Sequence, residues 1–178
     1  LWAILATLGG VGCQSYPTPY PEDRLIALRP TPPRPPKSPL PPQRPLGAAI
    51  REMSPAIDPS EAHRAASESI QLSKELAQRY GVRCPAPIHN AWVNLGIKKK
   101  GLCYHYADAL RLKLESLNFN SMDIHRAIAL QGTWREHNAV VLTPKGAALE
   151  TGLLLDAWRY RGALTWNRVV DSRYPWRP

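Results

Sequence analysis

Proline decides what the first third of this chain can become. Residues 16–59 carry Pro17, Pro19 and Pro21, then a dense run from Pro30 to Pro45. Each ring fixes φ and removes a backbone donor, so the stretch can supply neither a sheet ladder nor a packed helix. Extended polyproline II is expected instead, a semi-rigid spacer rising about 3.1 Å per residue. Of 178 residues 19 are proline, and most lie before residue 60. That leaves about 120 residues for a core, enough for one domain.

Residues 1–12 are apolar, too few to span a bilayer, and run straight into Cys13. Val11-Gly12-Cys13 followed by polar Gln14-Ser15 resembles the end of a bacterial lipoprotein signal. The resemblance implies export and lipidation of Cys13. The protein would then be held to a membrane facing the periplasm, or released as a secreted protein from an ordinary signal. A buried N-terminal strand is the structural alternative. Residues 14–57 then form a tether and 58–178 the folded domain. PxxP spacings in the tether also fit SH3 ligands, but an exported chain has more use for a spacer. Net charge is +9, concentrated in the tether and in Lys98-Lys99-Lys100. Such an excess suits anionic envelope or membrane surfaces. Nucleic acid is excluded as a partner, since no zinc finger, RNA-binding signature or periodic basic helix accompanies the charge.

The domain opens on a helix signature: Asp58 as N-cap, Pro59 at N1, Glu61 at N3, and Gly81 as the residue that ends it. Ala62, Ala66, Ile70, Leu76 and Tyr80 share its inward face. Residues 82–87, with Cys84, read as a loop, and 88–97 fit helix and strand alike. A second helix is expected over about 103–117, with Ala107, Leu110, Leu114 and Leu117 at helical spacing. Strands follow at 124–130, 136–142 and 152–158, the last two separated by the turn Thr143-Pro144-Lys145-Gly146. The tail, with Trp166, Val169, Val170, Tyr174 and Trp176, is expected to cover one edge of the sheet. The class is α+β.

Cys103 falls in the first turn of the second helix, where unpaired N–H groups and the helix dipole favour a thiolate. His137 begins one strand and Asp156 lies on the next. A thiol nucleophile needs a base within reach, and that imidazole needs an acceptor on its other nitrogen. Neighbouring antiparallel strands can present His137 and Asp156 side by side. Among the other histidines, His105 would point away from Cys103 along the helix. His63 reads as a surface residue, and His89 and His125 have no acceptor pattern beside them. An oxyanion hole would use the Cys103 N–H with a second donor from Asn90, Trp92 or Asn94. Trp134, Trp158 and Trp166 fit either a cleft lining or core packing.

Gly101, Cys103, Tyr106 and Ala107, then Glu136-His137-Asn138-Ala139-Val140-Val141, then Leu154-Leu155-Asp156-Ala157-Trp158, together resemble the transglutaminase-like branch of the papain-like cysteine enzymes. The likeness covers about residues 60–165. It implies a papain-like core, with the cysteine helix packed on an antiparallel sheet carrying histidine and aspartate. It also implies a Cys103–His137–Asp156 triad that hydrolyses amide bonds of a peptide or protein through a thioester, with peptidoglycan-linked peptides among the substrates. No cofactor and no metal are implied. Three alternatives stay open: acyl transfer to amines, a non-catalytic envelope-binding module, and a Cys84–Cys103 disulfide that would occupy the sulfur. A zinc site from Cys84, Cys103 and His105 lacks the usual ligand spacing.

Overall fold

The computed structural model of this protein describes residues 45–178. The expected export signal, Cys13 and most of the expected proline tether lie outside the described residues. Four helices come first: α1 Leu46–Arg51, α2 Pro59–Arg79, α3 Ala86–Asn94 and α4 Cys103–Glu115. Four strands follow: β1 Met122–Ala129, β2 His137–Pro144, β3 Leu153–Asp156 and β4 Thr165–Arg168. Each strand pairs antiparallel with the next, in the order β1-β2-β3-β4. The architecture is therefore α+β, with the helices segregated ahead of an antiparallel meander. Among the described residues no helix is long and apolar enough to cross a membrane.

Helix α1 lies within the segment assigned above to the tether. Pro45 precedes its first turn, where a missing N–H costs nothing, and Leu46 and Ile50 are buried in the core with α2 residues. Packed structure thus begins ahead of residue 58. In α2 the expected cap is present: Asp58 Oδ1 accepts from the N–H groups of Ser60 (2.7 Å) and Glu61 (3.0 Å). At its other end Val82 N–H donates to Ala77 O and Gly81 N–H to Gln78 O, with Gly81 at φ +61°. That is a Schellman closure, and it requires the left-handed residue glycine supplies. Helix α3 begins earlier than the undecided stretch 88–97, at Ala86, because Pro85 and Pro87 sit where a helix start has no need of their missing donors.

The sheet is covered on both sides. Val140, Leu142, Leu153 and Leu155 pack with Leu76 of α2 and Tyr106, Leu110 and Leu114 of α4. Ala127, Ala129, Ala139, Val141 and Leu154 face the other way, under Leu149, Val169 and Trp176. Strand β2 is consequently buried through seven of its eight residues, which explains its unbroken apolar run. The tail covers this second face as well as an edge. Arg177 exchanges both backbone hydrogen bonds with Ile128 on β1, at 2.8 and 2.9 Å. Strand β4, inside that tail, extends the meander beyond the three strands expected.

Glu61 does not complete a reciprocal capping box. Its carboxylate turns to the α4–β1 connection and accepts from Asn120 N–H (2.8 Å), Ser121 N–H (2.9 Å) and the Ser121 hydroxyl (2.5 Å). The Ser121 hydroxyl in turn accepts from Asp58 N–H (3.1 Å). Burial pushes the Glu61 carboxyl up, but the three donors outweigh it and hold it below its ordinary value. Such a group adds stability above its unfolded-state pKa and loses it on acidification. Glu61→Ala should therefore cost about 3 kcal/mol in urea unfolding at neutral pH, since it orphans two backbone donors. The difference from wild type should shrink below roughly pH 4.

Candidate active site

Cys103 is the first residue of α4 and has no exposed surface. Leu102, at the N-cap, has no side-chain acceptor, so the orphan N–H groups of the first turn must be met from elsewhere. His105, at N3, supplies the acceptor: its Nδ1 lies 3.2 Å from both Gly101 N and Leu102 N. An accepting Nδ1 requires the neutral ring with hydrogen on Nε2. Burial, then the charges of Lys100 and His89, press its pKa down to about 4. His105 thus folds back over the start of α4. The signal was its N3 position, where a capping box places glutamate or glutamine.

Gly101 stands at φ +124°, and a Cβ there would overlap the His89 ring. His89 is fully buried, with Nε2 2.9 Å from Lys100 O, so Nε2–H donates to that carbonyl. The glycine, the buried ring and the carbonyl together fix how the chain enters α4.

His137 and Asp156 meet as expected. His137 Nε2 lies 2.8 Å from Asp156 Oδ2, and both side chains are buried. Asp156 Oδ1 accepts from the backbone N–H groups of Trp158 (3.0 Å) and Arg159 (3.1 Å), and Oδ2 also accepts from Arg159 Nε (3.2 Å). Burial alone would raise this carboxyl. The imidazole, the Arg159 guanidinium and the backbone donors win, and hold it far below the usual carboxylate range. A carboxylate on Nε2 fixes hydrogen there and leaves Nδ1 as the proton-exchanging nitrogen. The rings of Trp158, Trp176 and Tyr174 surround the imidazole, with centroids at 5.1, 5.5 and 5.8 Å.

The contact that ties the sulfur to the sheet comes from Asn138, a strand residue with no local signal of a role at the site. Alternation along β2 sets Asn138 with Val140 and Leu142 on the α4 face, and His137 with Ala139 and Val141 on the opposite face. Asn138 Nδ2 is 3.6 Å from Cys103 Sγ. Trp158 reaches both faces: it packs on the small cluster of Val93, Leu102 and Cys103 and lies beside His137. Its indole N–H donates to Asn90 Oδ1 at 3.2 Å. Of the oxyanion candidates, Asn90 is therefore buried at the site, Trp92 is half-buried on α3, and Asn94 is exposed at the end of that helix.

Cys84 and Cys103 are both free thiols, so the rival disulfide is not formed. Burial pushes the Cys84 thiol up. Among the described residues no cluster of histidine, cysteine and carboxylate groups could hold a metal ion. His63 is exposed, and His125 is 2.9 Å from the Thr143 hydroxyl. Trp134 is exposed and Trp166 packs against the core, so of these three candidates Trp158 is the one at the site, where Trp176 joins it beside His137. An open groove of about 660 Å³ starts at Asp156 and Arg159 and continues past Tyr160, Trp166, Tyr174 and Trp176; neither Cys103 nor His137 lines it. No protein-family model, curated protein or solved structure matches this chain.

Two outcomes follow from this geometry. Gly101→Ala should cost about 3 kcal/mol or more in chemical unfolding, combining a strained φ with displacement of the His89 ring. His105 binds a proton more readily unfolded, near 6.5, than folded, near 4. Its contribution to stability is therefore present above pH 6.5 and lost as pH falls toward 4. His105→Gln, which keeps an acceptor and does not titrate, should flatten that part of the stability–pH curve.

Proposed function

We propose that this chain is a cysteine hydrolase of the transglutaminase-like, papain-like kind, cleaving amide bonds in peptides or proteins. The observation that carries the proposal is the buried His137–Asp156 pair at the rim of the sheet, where β2 begins and where Trp158 packs against both His137 and the Cys103 cluster. A histidine held this way is an oriented base, and a cysteine at a helix start is a thiol inclined to ionise. Packing of α4 on β1 and β2 agrees with the papain-like arrangement that the motifs imply.

In this reading His137 Nδ1 takes the thiol proton and the Cys103 thiolate attacks the carbonyl carbon. The tetrahedral oxyanion is met by the Cys103 backbone N–H and the Asn90 side chain. Collapse of that adduct breaks the C–N bond, and His137 returns its proton to the leaving amine. A thioester remains on Cys103. Water, deprotonated by the same imidazole, then releases the carboxylic acid and restores the thiol; an amine in place of water would give acyl transfer. Asp156 stays ionised throughout, stabilising the imidazolium and its orientation. Because Cys103 is fully buried, substrate reaches the sulfur only when the half-buried rings of Trp158 and Tyr104 yield. The expected setting is the cell envelope, with Cys13 lipid-anchored and peptidoglycan-linked peptides among the candidate substrates.

The same burial favours the competing reading, a binding module in which Cys103 is only a packed side chain. Labelling of the native protein by an amide-type cysteine electrophile separates the two. Cys103 should react near neutral pH, and Cys103→Ala should abolish that adduct with the fold intact. His137→Ala should slow the labelling at least about a hundredfold. A Cys103 inert in the native state, or one indifferent to loss of His137, would sink the hydrolase.

A further inference from the structure

We propose that Asn138 is a further catalytic residue, whose side-chain N–H holds the Cys103 sulfur as a thiolate, and that Arg126 is the positioning residue that aims this amide. The inference rests on Cys103 being the nucleophile.

Nδ2 has two hydrogens to place and Oδ1 has lone pairs to fill, so an amide orientation can be tested against its neighbours. Oδ1 lies 2.9 Å from Arg126 Nη2, a group that can only donate. Nδ2 lies 3.3 Å from Glu136 Oε1 and 3.6 Å from Cys103 Sγ. Reversing the amide would set donor against donor at Arg126 and oxygen against carboxylate at Glu136. The orientation is therefore determined, and it turns an N–H toward sulfur. Arg126 is held in turn by Asp108 of α4, with Nε 3.1 Å from Oδ1. A chain of contacts thus leaves α4 at Asp108, crosses β1 at Arg126, and returns through Asn138 on β2 to the first residue of α4. Asn138 is buried, so its bond to sulfur is not diluted by water.

The need for such a donor comes from the charges around this end of the sheet. Glu136 is a buried acid that shares Nδ2 with the sulfur, and it opposes a thiolate. His137, once protonated, favours one; Asp156 is paired with His137, and Arg159 with Asp156. From α4, His105 is neutral and Tyr104 packs on the cysteine cluster; from α3 and its loop, neutral His89 and cationic Lys100 flank the entry to the helix. In this setting the two Asn138 hydrogens let an anionic sulfur stand near the Glu136 carboxylate. An aspartate at the same position would place a second negative charge there.

The test is the pH dependence of Cys103 alkylation by iodoacetamide in the full chain, with each cysteine followed separately by mass spectrometry. Wild type should alkylate at Cys103 with an apparent pKa below that of Cys84. Asn138→Asp should move the Cys103 midpoint up by at least about one unit, a tenfold loss of rate on the acid side with rates converging at high pH. Arg126→Leu should move it the same way by less, and Arg126→Lys should restore part of the shift. These two variants alter a half-exposed site, so they report even where Asn138→Asp fails to fold. Unchanged midpoints in both Asn138→Asp and Arg126→Leu, with Cys103 still reactive, would overturn the role of Asn138 alone. A wild-type Cys103 that does not react below the midpoint of Cys84 would instead overturn the nucleophile itself.

Discussion

A carboxylate with almost no contact with water must have its lone pairs met by the protein, and Asp156 meets that demand at the point where β3 ends. Two backbone N–H groups on Oδ1 turn the chain after the strand and start the segment carrying Trp158 and Arg159. Arg159 and His137 take up Oδ2. The same four bonds therefore end a strand, orient an imidazole and bring in the indole that packs beside Cys103. Removing the carboxylate would leave the buried imidazole without its acceptor and the exposed Arg159 guanidinium without its counterion, and the buried half of that loss is the costly one.

The site divides between two faces of one sheet. The sulfur belongs to the α4 side and is touched by Asn138; the imidazole and carboxylate belong to the other side, under the aromatic tail. What joins them is the end of β2, where consecutive residues point opposite ways, together with Trp158, which reaches around to both. Proton transfer between Cys103 and His137 would thus take place at the rim of the sheet, and the burial of both groups sets how far the covering rings must move.

Much of this was legible in the sequence because it depends on local rules. Asp58, Pro59 and Gly81 announce α2 through caps that work within a few residues, and the run 136–142 announces a strand, though not that both its faces are buried. Cys103, His137 and Asp156 stand out because their chemistry is scarce and their elements are recognisable. What was not legible depends on contacts distant in the chain. Glu61 reads as half of a capping box until Ser121 competes for it from sixty residues away. Asn138 reads as an ordinary strand residue until Arg126 and Glu136 fix its amide. His105 carried a local signal, its N3 position, which outweighs its outward place on the helical wheel. Helix α1 was hidden by the prolines before it, since a segment of six residues has too little periodicity to outweigh them.

The backbone exchange between Ile128 and Arg177 bears on how this protein behaves in company. A sheet edge left bare is a template on which another chain can pair, and β1, eight residues long, would be the more hazardous of the two edges here. The tail's bridge to Ile128 caps that template near the C-terminal end of β1. Strand β4, the opposite edge, has only four residues, the last two exposed and ending in arginine. The segment that covers His137 thus also caps the end of the β1 edge, and loosening it would free the backbone groups of Ile128 for pairing at the same time.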